Sequence, residues 1–155
     1  MNDPITTFYT AFQQQDAEAM AACYHKSIRF EDPAFGVLHG EDAKDMWRML
    51  CGNSKGLKLE FSGIECTATS GQAHWEAWYT FSKTGREVHN RIDASFELQD
   101  GLIICHTDVF DVHRWATQAM GLKGRLLGGT GFFKKKLQAQ TQSLLKKYQA
   151  KADKK

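Results

Sequence analysis

The residues best suited to chemistry in this chain begin in the stretch 28–40, Ile-Arg-Phe-Glu-Asp-Pro-Ala-Phe-Gly-Val-Leu-His-Gly. A short alternating strand carrying Ile28 and Phe30 runs into the acidic pair Glu31 and Asp32, and Pro33 then removes a ladder donor. Asp32 is held at a strand end among apolar residues, where burial would raise its pKa into a range useful for proton transfer. The competing reading is a turn former, its carboxylate bonding nearby backbone N–H groups. A second carboxylate, Asp108, and the imidazole of His106 share one parity with Ile104 and Phe110, a mixture that suits a pocket lining. The opposite parity, Cys105, Thr107, Val109 and Asp111, is an alternative inward set. A surface salt bridge for Asp108 and a structural, hydrogen-bonded His106 stay open beside the catalytic reading. As an enzyme, the chain would use Asp32 as general base on an apolar carbonyl substrate, with His106 or Asp108 as acid partner.

The walls of such a pocket follow from alternation. In 88–98 the apolar parity is Val88, Asn90, Ile92, Ala94, Phe96 and Leu98; Asn90 is its one polar member and needs a partner or a ligand. In 73–81 the inner set is Ala73, Trp75, Ala77, Tyr79 and Phe81, which turns His74, Glu76 and Trp78 outward. Trp47, on a helix, suits the core and also a pocket wall. The expected ligand-binding residues are thus Trp47, Trp75, Tyr79, Asn90 and Phe110, joined by Tyr9 on the first helix. No nucleophile elbow, phosphate loop or zinc spacing is present, so neither a metal nor a cofactor is expected. Cys23, Cys51, Cys66 and Cys105 are isolated in apolar or periodic segments and read as reduced core thiols of a cytoplasmic protein.

The elements that must position these groups can be read from period and caps. With 42% apolar and 12% aromatic residues, 155 residues are enough for one domain with its own core. Asp3 and Pro4 open a helix over 4–15 with Ile5, Phe8 and Phe12 on one face, and Asp16 caps a second helix whose stripe continues through Met20, Cys23 and Tyr24. A strand over 27–32 and a helix from Gly40 or Glu41 to Gly52-Asn53 follow. Four strands come next, over 57–66 with a bulge at Gly63, 73–82, 87–98 and 102–112, the last two joined by the tight Gln99-Asp-Gly101 turn. A helix over about 112–120 stops at Gly121. The order ααβαββββ places helices on one face of a curved antiparallel sheet, an α+β domain over 1–121.

Residues 122–155 form a separate, basic extension. Residues 1–121 hold ten Lys+Arg against seventeen Asp+Glu, whereas 122–155 hold ten against Asp153 alone. Gly128-Gly-Thr-Gly131 reads as a flexible hinge, followed by a helix with Phe133, Leu137, Thr141, Leu144 and Tyr148 on a narrow face. Packing on the domain or on a second subunit is the favoured reading. A basic segment resting on anionic lipid is the minor alternative, nucleic acid is disfavoured, and a solvated end is the third possibility.

The pattern resembles the nuclear transport factor 2-like superfamily, in particular its SnoaL-like domains, over about residues 4–120. The resemblance rests on Phe-Tyr-x-Ala-Phe followed by Asp16, on Phe-Glu-Asp-Pro followed by His-Gly and a helix, and on Asp-Gly-Leu-Ile-x-x-x-x-Asp-x-Phe-Asp at 100–111. It implies a cone-like α+β barrel enclosing a pocket for a small apolar molecule, commonly a homodimer through the outer sheet face, where Trp78 and His74 would lie. In ketosteroid isomerases the proton-shuttling aspartate falls on Asp32. Their helix-one tyrosine falls on Phe8, with Tyr9 one residue away, and parity puts Ala94 where their second aspartate would be. In limonene-epoxide hydrolases a pocket aspartate falls on Asp108, while the water-positioning asparagine, the arginine and the second aspartate fall on Asp32, Ala77 and Tyr79. Neither mechanism transfers whole. The resemblance therefore implies a SnoaL-like binding protein, either an acid–base enzyme or a non-catalytic ligand-binding or dimerisation module. A filled cone interior would favour the second.

Overall fold

The structure is a computed structural model that describes residues 3–53 and 56–153. Twelve elements follow in chain order among these residues: α1 (Pro4–Gln13), α2 (Ala17–Ala22), β1 (Tyr24–Asp32), β2 (Gly36–His39), α3 (Glu41–Asn53), β3 (Lys58–Cys66), β4 (Ser70–Phe81), β5 (Arg86–Gln99), β6 (Leu102–Val109), α4 (Val112–Met120), α5 (Leu122–Leu127) and α6 (Gly131–Ala152). The Asp3 and Asp16 caps form as the sequence predicts, and Asp111 adds a third. Asp3 accepts from Thr6 N, Asp16 from Ala19 N and Asp111 from Arg114 N, each satisfying an otherwise orphaned helical donor.

The six strands form one curved, open sheet in the order β2-β1-β6-β5-β4-β3. The α+β class and the packing of helices on one face are as expected, with two differences in the sheet. It is mixed, because β1 runs parallel to β6. It also contains the short strand β2, since the chain folds back directly after Pro33 and pairs Phe30 with Leu38 and Asp32 with Gly36. Pro33 ends β1 as foreseen, but the ladder resumes beyond the turn. Tyr24 opens β1 and does not extend the α2 stripe. The β5–β6 turn places Asp100 and Gly101 at φ 55° and 77°, the left-handed pair that a two-residue hairpin demands.

The concave face holds one aromatic core built from α1, α3, β1 and the inner parities of β3 to β6. Phe8, Tyr9, Phe30, Met46, Ile92, Ile103 and His106 lose essentially all contact with solvent. The inner parities of β4 and β5 are those read from the sequence. In β6 a register shift opposite Glu97 and Leu98 turns Ile103 inward in place of Ile104, while His106 and Asp108 stay inside and Val109 is exposed.

Residues 122–127 are helical, and the glycines that follow are not a free hinge. A Cβ at Gly124 would collide with the Ala116 carbonyl, and one at Gly128 would lie 2.6 Å from Ala116 Cβ, so both glycines permit α5 to press on α4. Helix α6 then packs back across the domain, the favoured one of the expected arrangements. Gln138, Thr141 and Gln142 donate to the carbonyls of Pro33, Ala34 and Phe35, and Gln149 donates to Asp42 and Asp45. Leu145, not Leu144, is the side chain that enters the core; Leu144 faces solvent.

Candidate functional site

Asp32, His106, Asp108, Tyr9, Trp47 and Trp75 converge on the concave side of the sheet. The register does much of this work. Parallel pairing sets Phe30 beside His106, and antiparallel pairing sets Phe96 beside His106 and Ala94 beside Asp108. The His106 ring therefore lies between aromatic neighbours, with the Phe96 centroid 4.4 Å and the Phe30 centroid 5.1 Å away, and Trp47 stacks parallel to it at 6.2 Å.

Within this apolar setting runs a chain of hydrogen bonds. Trp47 Nε1 donates to Tyr24 Oη at 2.9 Å, and Tyr24 Oη lies 2.7 Å from His106 Nδ1. His106 Nε2 lies 2.8 Å from Asp108 Oδ1, which also receives Trp75 Nε1 at 3.4 Å. The tautomer follows from the donor inventory. An indole N–H can only donate, so Tyr24 Oη accepts from Trp47; a charged Asp108 can only accept, so Nε2–H of the neutral ring donates to it and Nδ1 is left to accept the Tyr24 proton. Asp108 is 3% exposed and His106 fully buried, which rules out a surface salt bridge for Asp108. A polar chain in such a core is retained only if each member is satisfied.

One atom of this interior is not satisfied. Tyr9 Oη is buried without a hydrogen-bond partner, the only such side-chain atom among the described residues. Its ring is held by Phe61 (stacked, 5.6 Å), Trp75 and Phe96. Burial, then the negative charge of Asp108, pushes the Tyr9 phenol well above its ordinary pKa, so the group remains a donor at neutral pH. Phe8 and Tyr9 both reach the interior. Phe8 lies against Tyr24 and His106, and Tyr9 lies on the β3–β4 side.

Asp32 combines the two readings that the sequence left open. Its Oδ1 accepts from Ala34 N at 2.9 Å and from Phe35 N at 2.6 Å, the bonding of a turn former. It is also half-buried, and desolvation raises its carboxyl from 3.8 to about 7, opposed by the Phe35 N–H and assisted by the charge of Asp108. Helix α6 covers this turn through its Gln and Thr side chains.

The remaining expected residues are distributed away from the chain of hydrogen bonds. Tyr79 accepts from Trp115 Nε1 at 2.7 Å, which ties it to α4. Phe110 packs where the two hydrophobic clusters meet, and Asn90 is half-buried on the inner face of β5 between Val88 and Ile92. Ala77 and Ala94 are buried, and Asp93 points outward to His74. Tyr24 is the site residue that sequence reasoning missed. Its available signal was a phenol at the end of an apolar stripe, a group that must find a polar partner when buried. Tryptophans, phenylalanines and Leu145 fill the concave side.

The outer face carries a separate ionic network. His74 bridges Asp93 and Glu76, His89 reaches Glu76, and Trp78 stacks on His89 at 4.4 Å. An open groove of about 400 Å³ beside it is lined by His89, Arg91, Arg114, Thr117 and Gln118. No group of three or more His, Cys, Asp or Glu side chains suited to a metal ion occurs among the described residues. None of the four cysteines is in a disulfide, and no described helix is long and apolar enough to cross a membrane.

Comparison with known proteins decides the family. The SnoaL-like domain family matches residues 5–106. The chain belongs to that family. This SnoaL-like chain has many solved neighbours that share its fold. An epoxide hydrolase of the limonene-epoxide hydrolase type from M. tuberculosis is 20% identical, with TM-score 0.61 over 81% of this chain and 88% of that one. A polyketide cyclase described as putative, from Xanthomonas campestris, is also 20% identical, with TM-score 0.61 over 74% and 93%. A protein of ketosteroid isomerase-like fold from Catenulispora acidiphila, solved with trimethylamine, is 9% identical, with TM-score 0.66 over 77% and 93%. A search of curated proteins found no match.

Proposed function

We propose that this SnoaL-like protein binds a small, largely apolar molecule bearing one carbonyl or epoxide oxygen and performs acid–base chemistry on it. The observation that carries this reading is the unpartnered Tyr9 hydroxyl in an interior whose other polar groups are chained together. An unpaired donor in such a place costs about 1–3 kcal/mol, and a substrate oxygen would remove that cost. Tyr9 O–H would donate to the oxygen on which negative charge develops. Asp32, with a carboxyl near 7, is partly ionised at neutral pH. It would take a proton from the carbon beside a carbonyl, leaving the electron pair on the oxygen held by Tyr9, and return the proton at a second carbon. On an epoxide, the same base would draw the proton from the attacking water while Tyr9 protonates the leaving oxygen. Asp108, oriented by His106 and Trp75 through Oδ1, has Oδ2 to offer as the second acid–base group. Two neighbours whose names denote a cyclase and an epoxide hydrolase support a reaction of this kind.

The test is turnover of a panel of β,γ-unsaturated cyclic ketones and terpene epoxides by the full chain. At least one should be converted, and Tyr9→Phe and Asp32→Asn should each lower kcat/KM on the order of a hundredfold with the fold retained. No conversion of any member, or variants as active as the parent, would sink the reading.

The packed interior favours a second reading, a non-catalytic ligand-binding or dimerisation module. On that reading the outward Trp78 and the His74–Glu76–His89 network form the contact between two copies. Four cysteines with no disulfide among them fit a reducing compartment such as the cytoplasm.

A further inference from the structure

The corner between α5 and α6 combines features that the pocket does not use. Leu122, Leu126 and Phe132 are among the most exposed large apolar side chains of the protein, at 71%, 70% and 74%, with Leu127 beside them at 44%. Leu122, Arg125 and Leu126 recur at i, i+3 and i+4, so they share one face of α5. Gly124 turns the opposite face into α4, where its missing side chain lets the helices touch. That contact fixes α5 with its leucines outward. Thr130 then bonds back to Leu127 and caps α6, which sets Phe132 in the first turn of α6, next to the end of α5. Lys123, Arg125, Lys134, Lys135 and Lys136 surround these residues and are all exposed. The extension holds ten basic residues against one acidic residue, whereas the preceding part of the chain is acidic.

We propose that this corner is a docking surface for an anionic lipid bilayer, with Leu122, Leu126 and Phe132 entering the interface and the basic side chains meeting the headgroups. Aliphatic side chains ringed by lysines match that partner, since apolar insertion and electrostatic attraction then add. Nucleic acid is matched less well, because three of the four exposed apolar residues are leucines, which offer bases no stacking surface. A second copy of the chain is also matched less well, since symmetric pairing would bring two basic corners together. The domain would lie on the surface without spanning it, consistent with the absence of any membrane-crossing helix among the described residues.

The experiment is cosedimentation of the full-length protein with large vesicles, either of phosphatidylcholine alone or of equal parts phosphatidylcholine and phosphatidylglycerol. Binding should occur on the anionic vesicles only and should weaken as sodium chloride is raised. Joint replacement Leu122→Ser, Leu126→Ser and Phe132→Ser should weaken it on the order of tenfold or more. Lys134→Glu with Lys135→Glu should abolish it. All five side chains are exposed, so circular dichroism and the thermal midpoint should be nearly unchanged. Failure to sediment with anionic vesicles overturns the proposal, as does binding that the serine variant retains in full. Tighter binding to duplex DNA or RNA of matched charge than to the vesicles would also overturn it.

Discussion

The Tyr24 hydroxyl lies 2.7 Å from Nδ1 of His106, although 82 residues separate them, and this contact sets which nitrogen of the imidazole carries the proton. Trp47 donates to the same oxygen, and with Nε2–H given to Asp108 the Tyr24 proton points at Nδ1 of the neutral ring. The consequence passes through His106 to Asp108, so a phenol at the start of β1 orients a carboxylate in β6. Parallel pairing of β1 and β6 is what makes this possible.

Tyr24→Phe should therefore disturb more than one bond. It leaves the Trp47 indole N–H and the His106 Nδ1 without partners inside the core. The expected loss is about 1–3 kcal/mol, the cost of stranding buried polar groups. Urea unfolding measures it, and nitrogen NMR of the His106 ring should show the tautomer no longer locked. An unchanged ring spectrum would show that Tyr24 does not select the tautomer.

The pH dependence of stability isolates Asp32. Its carboxyl titrates near 7 in the folded protein and at 3.8 when free. Between those values the native state holds a proton that the unfolded state has released. This group's contribution is therefore full below the ordinary carboxylate range, declines as pH rises toward 7 and is level above that. His74, raised by hydrogen bonds to Asp93 and Glu76, adds a decline of the same sign as pH passes its folded pKa. Asp32→Asn keeps an oxygen for the Ala34 and Phe35 N–H groups but cannot ionise, so the variant should lose stability less steeply from pH 4 to 7. Parallel curves for the two proteins would contradict the buried carboxyl.

Helix α6 lies over the Asp32 turn. Leu145 is its one side chain fully inside the core, and Gln138, Thr141 and Gln142 hold the carbonyls of residues 33–35. Leu145→Ala should cost about 2–5 kcal/mol of local stability in the docking of α6. Amide exchange should then quicken in both α6 and the β1–β2 turn while the β4–β5 pair keeps its protection. Exchange that quickens across the whole sheet would mean that α6 is part of the core and not a cover.

On the outer face, Trp78 stacks on His89 beside the Glu76 network. If two copies meet there, light scattering should report a dimer for the parent and a monomer for Trp78→Glu, with unchanged circular dichroism. A parent that remains monomeric at high concentration would remove the assembly reading.

Much of this architecture is written locally in the chain. Asp3, Asp16 and Asp111 cap helices because a short acceptor before a helical run has few better uses, and the turn at Asp100-Gly101 needs only its two residues. Alternation alone separates Ile92, Ala94 and Phe96 from Arg91, Asp93 and Ser95, since a stretch of strand without a register shift cannot turn one without turning all. The same patterns placed Asp32 at a strand end and brought His106 and Asp108 to one face. Tertiary structure decided what those residues touch. The strand β2, the parallel β1–β6 register and the inward turn of Ile103 depend on partners far along the chain. So do the Tyr24–His106–Asp108 chain and the unpartnered Tyr9 hydroxyl. Choosing Leu145 over Leu144 required knowing where α6 lands, because a helix shows its apolar residues in sequence but not the surface that will receive them.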